Sequence, residues 1–332
     1  MNAADSSPGY RQALESAARF IREHDHFLVV SHVQPDGDAV SSTCAVGWIL
    51  EQCGKRFVLI NEGEIPRKFR FLYGCDRIVN MRDNPPSGPF RHVICVDCAD
   101  FKRIGEVSRL FADDCAILNI DHHPTNDRYG TVHVIRDDAA ATAELLYDLI
   151  RTMGLSWTRE SAELVYTGMM TDTGGFRYAN TTPKVMQAAA ELLSHGVKGA
   201  ELAEALLETV TYPHIQLLKR ALATLQFDGD RRIAWMVVTQ GDMKASGAGM
   251  DDLEGLVNYP RNIEGVQVGL LFKETGPREF KVSMRSNGQA DVSAIAQLFG
   301  GGGHVRAAGA SLEGDAEEVI GRVLDAVKAA LA

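Results

Sequence analysis

The sequence FLVVSHVQPDGD at residues 27–38 joins an apolar run to a polar segment with one histidine and two aspartates. The apolar run, Phe27–Ser31, is apolar at every position except the last, so polar and apolar residues do not alternate in it. Continuous runs of this kind are typical of strands buried on both faces of a parallel sheet. The polar segment then lies at the carboxyl end of such a strand, where open parallel sheets bind their ligands.

The same pattern recurs along the first half of the chain. Three further apolar runs predict strands: 57–60, 92–96 and 116–120. Helical or irregular stretches separate them, notably 40–53 and 139–153. Strands that alternate with helices indicate an α/β fold with a parallel sheet.

The second half of the chain has a different character. Residues 182–225 are mostly helical in pattern, strands are predicted at 231–239, 266–274 and 279–286, and helices at 291–299 and from Asp315 onward. We therefore predict a catalytic α/β domain at 1–190, a helical linker at 191–228 and a smaller α/β domain at 229–332.

Clusters of carboxylates and imidazoles follow the apolar runs of the first half. Their members are His32, Asp36, Asp38, Asp97, Asp121, His122, His123 and Asp172. Each cluster alone also fits a turn or a helix cap, since Asp, Pro and Gly are common there. Together they would bring five aspartates to one edge of the sheet, where so much negative charge requires cations. Carboxylates mixed with imidazoles favour Mn²⁺, Mg²⁺ or Co²⁺.

Composition limits the remaining functional classes. The 332 residues carry a net charge of −10, which argues against binding long nucleic acid over a broad surface. The polar start of the chain does not resemble a signal peptide, and no apolar run reaches the roughly 18 residues of a membrane span. We expect a cytoplasmic protein. Cys95 and Cys98 flank Asp97, but their spacing in a strand sends them to opposite faces, so we expect packing rather than metal binding.

In their order along the chain, these clusters resemble the four motifs of the DHH phosphoesterases. The matching segments are His32 with Asp36-Gly37-Asp38, then Asp97, then Asp121-His122-His123, then Asp172-Thr173-Gly174. The second half is similar to the DHH-associated domain through Arg285-Ser286-Asn287, Gly300-Gly301-Gly302-Gly303-His304 and Ala307-Ala308-Gly309. The resemblance covers nearly the whole chain.

The resemblance implies a centre of two divalent ions, with Mn²⁺ favoured and Mg²⁺ or Co²⁺ as alternatives. One ion would be held by His32, Asp36 and Asp97. The other would be held by Asp38, Asp97, His122 and Asp172, so that Asp97 bridges both. Two ions can activate a shared water and offset the charge that develops on a phosphate during in-line attack.

The resemblance also implies roles for residues around the ions. Asp121 would orient His122, as metal-bound imidazoles usually require. His123 would contact the phosphate or protonate the leaving oxygen. Substrate-binding residues would come from the second domain: Arg285, Ser286, Gly302, Gly303 and His304.

The length and two-domain plan resemble the oligoribonuclease and pAp-phosphatase branch of the family, the nanoRNases. Such an enzyme acts as an exonuclease on single-stranded RNA of two to about five nucleotides, and many members also remove the 3′-phosphate of pAp. A homodimer is expected from the family. A soluble phosphodiesterase for cyclic di-AMP or pApA is the alternative enzyme, and a nucleotide-binding regulator without turnover is the alternative outside the enzymes.

Overall fold

The computed structural model describes residues 7–288 and 290–331. The chain forms two compact units, the first ending at Thr209 and the second beginning at Val210. This division falls inside the segment 191–228, for which the sequence predicts a helical linker. No helix in the described ranges is both long and apolar enough to cross a membrane.

The first unit contains a six-stranded sheet in the order β3-β2-β1-β4-β5-β6. The strands are β1 (Phe27–Val30), β2 (Phe57–Asn61), β3 (Ile78–Asn80), β4 (Phe90–Val96), β5 (Phe111–Asp121) and β6 (Val132–Ile135). Every neighbouring pair is parallel. The α/β prediction is confirmed, and the four predicted strands are β1, β2, β4 and β5.

The two strands that the sequence did not predict are at the sheet edges. β3 has only three residues and all are half-buried, and β6 has a single fully buried residue. Neither presents the continuous apolar run by which the inner strands were recognised. The chain adds β2 and β3 on one side of β1 and then β4, β5 and β6 on the other. The order of the strands thus reverses between β1 and β4, and doubly wound sheets bind ligands at such a switch point.

Six of the described α-helices belong to the first unit. They are α1 (Pro8–Glu23), α2 (Gly37–Gln52), α3 (Thr142–Met153), α4 (Arg159–Asp172), α5 (Pro183–Ser194) and α6 (Gly199–Ala203). Helix α2 follows β1 and is buried from Gly37 to Leu50. It packs against α3 and α4. Residues at the start of α2 are therefore held by two other helices as well as by the sheet.

The second unit has a six-stranded mixed sheet in the order β11-β12-β10-β9-β8-β7. Its strands are β7 (Gln226–Phe227), β8 (Ile233–Val238), β9 (Val268–Gly276), β10 (Glu279–Ser286), β11 (Gly302–His304) and β12 (Ala307–Glu313). Among these described strands, β8 and β9 pair in parallel and the other neighbours are antiparallel. Its helices are α7 (Tyr212–Ala223), α8 (Gln240–Ser246), α9 (Asn258–Arg261), α10 (Val292–Gln297) and α11 (Ala316–Leu331).

Apolar residues of α10 and α11 pack on one face of this sheet, and residues of α7 pack on part of the other. The three predicted strands and the two predicted helices are confirmed. Strands β7, β11 and β12 were not predicted, because β7 is exposed and the other two are rich in glycine and alanine.

Candidate metal centre

The first unit brings the predicted ligands together beside the switch point of the sheet, from the carboxyl ends of β1, β4 and β5, from the start of α2 and from the end of α4. His32 lies two residues beyond β1, and Asp97 follows the last residue of β4. Asp121 is the last residue of β5, and Asp172 is the last residue of α4. The edge of the sheet that was predicted from the apolar runs is thus where these side chains meet.

Asp97 lies at the centre of the cluster. Its Oδ2 atom is 3.5 Å from Nε2 of His32. Its Oδ1 atom is 3.6 Å from Nε2 of His122 and 3.7 Å from Nδ1 of His123. The backbone of Asp97 is left-handed, with φ of 52°, so the chain turns sharply as β4 ends. The carboxylate is buried and faces three imidazoles.

Potential ligand atoms gather around Asp97 in three groups within the first unit. In each group the atoms lie within 4.8 Å of one another: His32 with Asp36 and Asp97, Asp38 with Asp97 and His122, and Asp97 with Asp121 and His123. The first group has the same three residues as one predicted ion site, and the second has three of the four residues of the other site, without Asp172. Asp97 is common to all three.

Backbone carbonyl groups fix the orientation of two imidazoles. Nδ1 of His32 lies 2.8 Å from the carbonyl oxygen of Val33, and Nδ1 of His122 lies 3.3 Å from that of Ala139. A carbonyl oxygen only accepts, so Nδ1 carries the hydrogen in both rings. Nε2 of each ring then points to carboxylates, and for His122 the nearest is Asp172 at 3.2 Å.

Asp38 is fully buried and tied to the start of α3. Its Oδ2 atom accepts from the backbone N–H of Thr142 at 2.6 Å, and its Oδ1 atom accepts from that of Ala143 at 3.0 Å. The hydroxyl of Ser42 donates to Oδ1 as well, at 3.1 Å. These three bonds hold the carboxylate in one orientation.

Asp36 both caps a helix and lies among the potential ligands, which the sequence could not separate. It is the N-cap of α2, where its Oδ1 atom accepts from the backbone N–H of Ala39 at 3.1 Å. It also belongs to the ligand group with His32 and Asp97. Asp36 is exposed, unlike Asp38 and Asp97, so its carboxylate has the least buried position among the predicted ligands.

The charges in this cluster oppose one another. Burial and the neighbouring charge of Asp97 raise the pKa of Asp38 well above its usual value. Burial raises the pKa of Asp172 to about 6, although the hydrogen bond to His122 opposes this rise. Burial also disfavours ionised Asp97, but the close contact with His32 and the positive charge of the surrounding imidazoles hold the pKa of Asp97 well below the usual range.

This donor set fits hard divalent cations. Carboxylate oxygens and imidazole nitrogens converge without thiolates, and the carboxylates repel one another unless a cation lies between them. Cys95 and Cys98 are free, buried and packed in one apolar cluster. They were expected on opposite faces. Cys98 lies past the end of β4 and beyond the sharp turn at Asp97, so strand alternation does not apply to it.

Asp121 has a different partner from the one predicted. The sequence suggested that it orients His122, but its Oδ1 atom lies 2.8 Å from Nδ1 of His123. Its Oδ2 atom accepts from Nδ2 of Asn126 at 2.7 Å. The carbonyl group of Ala139 takes the predicted place beside His122. Burial lowers the pKa of His123, but the hydrogen bond to Asp121 and the charge of Asp97 outweigh this, and the pKa is raised.

Two glycines make room for the cluster, and sequence reasoning missed both roles. A Cβ atom on Gly37 would lie 2.5 Å from the side chain of Thr171. A Cβ atom on Gly168 would lie 2.5 Å from Cβ of Ala143 and 2.6 Å from Oδ1 of Asp38. Gly168 is thus the gap in α4 into which the carboxylate of Asp38 fits. Only its position opposite α2 reveals this role.

In the second unit, Arg285 and His304 lie in one row across the sheet. Ala307 on β12 pairs with Arg285 on β10 and with His304 on β11. Side chains at directly paired positions point to the same face. The row therefore places a guanidinium and an imidazole on either side of a small alanine.

Ser286 and the glycines occupy other positions. Ser286 is buried and pairs with Val268 of the apolar core, and its hydroxyl finds no hydrogen-bond partner within the described chain. A Cβ on Gly303 would lie 2.5 Å from the carbonyl oxygen of Ala307, so this glycine serves strand packing. A Cβ on Gly302 would have no described atom within 4 Å.

Comparison with known proteins agrees with this arrangement. The model of the DHH family, N-terminal domain, matches residues 26–169, and the model of the DHHA1 domain matches residues 234–332. The bifunctional oligoribonuclease and PAP phosphatase NrnA of Thermus thermophilus is 37% identical over 97% of this chain and 95% of its own length. The protein of the same name from Bacillus subtilis is 28% identical over 89% of this chain and 91% of its own.

A solved structure has the same fold over nearly the full length. The exopolyphosphatase-related protein from Bacteroides fragilis has a TM-score of 0.89 and 26% identity, with 96% of each chain covered. The family models match the two units in order, and the relatives match both together. This chain therefore belongs to the DHH family and carries a DHHA1 domain after the DHH domain, as the order of its motifs predicted.

Proposed function

We propose that this protein is a metal-dependent phosphodiesterase and phosphatase. It hydrolyses oligoribonucleotides of two to about five nucleotides to mononucleotides, and it removes the 3′-phosphate of pAp. The observation that carries the proposal is that three sets of carboxylate and imidazole side chains share Asp97. The similarity over 97% of the chain to a relative named for both activities supports the choice of substrate.

In this proposal the first unit holds two divalent ions, with Mn²⁺ favoured. One would be held by His32, Asp36 and Asp97, and the other by Asp38, Asp97, His122 and Asp172. Asp97 is suited to serve both, because Oδ2 faces His32 while Oδ1 faces His122. When bound, such ions lower the pKa of a water and offset negative charge on phosphate oxygens.

His123, supported by Asp121, would donate a proton to the leaving oxygen. With Nδ1 hydrogen-bonded to Asp121, the ring presents Nε2 on its opposite side. An imidazole backed by a buried carboxylate is stabilised in its charged form and can donate a proton to a leaving oxygen. In this division of roles Asp97 serves the ions, and the pair Asp121–His123 serves proton transfer.

The second unit would bind the part of the substrate that does not react. Arg285 can bind a phosphate through two N–H groups, and His304 adds a further donor. The small side chain of Ala307 leaves space between them, and Gly302 lets the backbone approach a ligand. Ser286 is left out of this set because its hydroxyl is on the core side, and Gly303 serves packing.

The test is product analysis with purified protein and Mn²⁺. The substrates offered in parallel are pApA, pAp, a long single-stranded RNA and cyclic di-AMP. We expect rapid conversion of pApA to AMP, loss of the 3′-phosphate of pAp and slow cleavage of the long strand. Preferential opening of cyclic di-AMP would instead assign the protein to signal turnover. Binding of these nucleotides without cleavage would favour a regulator.

Three narrower statements remain predictions from the sequence. They are the use of Mn²⁺ rather than Mg²⁺ or Co²⁺, assembly as a homodimer and a cytoplasmic location.

A further inference from the structure

The segment Ala139–Ala143, which leads from β6 into α3, contacts the predicted ligands from several sides. We call it the alanine segment. The carbonyl oxygen of Ala139 lies 3.3 Å from Nδ1 of His122. The backbone N–H groups of Thr142 and Ala143 donate to Asp38. Apolar side chains dominate the segment, so its polar contacts come mainly from the backbone.

The alanine segment is also tied to the end of α4. Nδ2 of Asn180 donates to the carbonyl oxygen of Ala140 at 3.1 Å and to that of Asp172 at 3.2 Å. In addition, the N–H of Ala140 donates to Glu144 at 2.9 Å. The backbone groups of this short segment are therefore fixed, which makes it a rigid support for the side chains that it contacts.

Thr142 is the one residue of the alanine segment that reaches two predicted ligands. Its hydroxyl lies 3.0 Å from Oδ1 of Asp97, and its backbone N–H lies 2.6 Å from Oδ2 of Asp38. The residue is fully buried. A carboxylate only accepts, so the hydroxyl of Thr142 donates its hydrogen to Asp97.

This hydrogen bond selects one rotation of the Asp97 carboxylate. With Oδ1 held by Thr142, Oδ2 lies 3.5 Å from Nε2 of His32, and Oδ1 also lies 3.6 Å from Nε2 of His122. A carboxylate that serves two sites must present a different oxygen to each. Without the hydroxyl of Thr142, the ions themselves would have to order the carboxylate of Asp97. The protein would then bind the ions less tightly.

The backbone contribution has its own structural reason. Helix α3 begins after Ala141, which offers no side-chain cap to the N–H groups of the first turn. The carboxylate of Asp38 accepts from two of these groups in place of a local cap. Asp38 and the start of α3 therefore satisfy each other, and Thr142 joins this arrangement to Asp97.

We propose that Thr142 is a positioning residue that sets the geometry of both Asp97 and Asp38 for ion binding. The proposal rests on the metal centre of the proposed function, but not on its substrate. An alternative is that the hydroxyl only stabilises the fold, as buried threonines often do. The two differ in what happens to ion affinity when the hydroxyl is removed from a protein that still folds.

The experiment compares Thr142→Val, Thr142→Ser and Thr43→Val with the wild type. Valine keeps the shape of threonine and removes the hydroxyl, and serine keeps the hydroxyl. Thr43 is a matched control, because it is equally buried and its hydroxyl donates to the carbonyl of Ala39 in its own helix. Calorimetric titration of the metal-free proteins with Mn²⁺ gives affinity and stoichiometry, and thermal unfolding without metal gives stability.

We expect Thr142→Val to lose about 10- to 100-fold in Mn²⁺ affinity, the usual effect of removing a group that orients a metal ligand. Thr142→Ser should restore most of it, and Thr43→Val should bind as the wild type does. Equal binding by Thr142→Val and wild type, or no recovery in Thr142→Ser, would overturn the inference. If Thr142→Val does not fold, Thr142→Ala against Thr142→Ser isolates the same hydroxyl. A wild type that binds no divalent ion would overturn the proposed function itself.

Discussion

The Oδ1 atom of Asp121 lies 2.8 Å from the Nδ1 atom of His123, so a buried carboxylate lies directly behind an imidazole at the edge of the cluster of predicted ligands. Asp121 is therefore a partner of the proposed proton donor rather than of a metal ligand. The pair predicts a dependence on the leaving group that the ions alone would not give.

His123→Ala and Asp121→Asn are expected to slow cleavage of pApA by about 10²- to 10⁴-fold, the usual contribution of general acid catalysis. A bis-nitrophenyl phosphate should be affected far less, since its leaving oxygen needs no proton. The measurement is kcat for both substrates with each variant. Equal losses on the two substrates would show that the pair acts on the ions or the fold instead.

Asp97→Asn should abolish turnover and the binding of both ions, because Asp97 belongs to each ligand group. Mn²⁺ at 100 times its dissociation constant should stabilise the wild type by about 2.7 kcal/mol for each ion bound and leave the stability of Asp97→Asn unchanged. Asp100→Asn is the control, since Asp100 caps the 3₁₀ helix Phe101–Leu110 and belongs to none of these groups. Near-normal turnover in Asp97→Asn would contradict the shared role.

Gly168→Ala should destabilise the first unit by about 1–3 kcal/mol, the usual cost of overpacking a core. The added methyl would meet Ala143 and the carboxylate of Asp38. Gly321→Ala in α11 is the matched control, because a Cβ there meets nothing within 4 Å in the described chain. It should stabilise by about 0.5–1 kcal/mol through helix propensity. Urea unfolding of both variants gives the change in the free energy of unfolding. Equal changes in the two variants would contradict the close packing proposed for Gly168.

His304→Ala and Arg285→Gln should raise KM for pApA and pAp while sparing a bis-nitrophenyl phosphate, which has no nucleoside and no second phosphate to hold. Arg278→Gln is the control, as that arginine is exposed and pairs with Asp315. Kinetics on both substrate types decide the matter. Comparable losses on the simple ester would place His304 and Arg285 in the chemistry rather than in substrate binding.

Two variants in the glycine run test different properties: Gly301→Ala tests strand pairing, and Gly302→Ala tests substrate binding. A Cβ on Gly301 would lie 2.1 Å from the carbonyl oxygen of Gly309, so the pairing of β11 with β12 should be lost. Gly302→Ala should fold normally and raise KM for pApA. Circular dichroism and kinetics give the two results, and normal folding of Gly301→Ala would contradict the steric argument.

The inner strands and the predicted ligands could be inferred from sequence for one physical reason. Strands buried on both faces are continuous in apolar residues, and functional polar residues then stand out where the runs stop. Asp97 and Asp121 could be located in this way from the apolar runs alone. The edge strands β3 and β6 lack that contrast because they are short and only partly buried.

The support of the site could not be inferred in the same way. Ala139 and Ala143 act through backbone groups, which every residue carries, so their side chains give no signal. Gly168 matters only because of what lies opposite it in α2. Asp121 could contact either His122 or His123, and the side-chain rotation at the end of β5 decides which. The sequence does not indicate that rotation.

The order of strands in the first unit has a consequence for folding kinetics. The predicted ligands come from residues 32 to 172 and meet only when β1 has paired with β4, and β4 with β5. These pairings join distant parts of the chain, and non-local strand pairing is slow. We therefore expect a divalent ion to find its full set of predicted ligands only in the folded unit. The ion should slow unfolding while leaving the refolding rate almost unchanged, because it would stabilise the native state and not the transition state for folding.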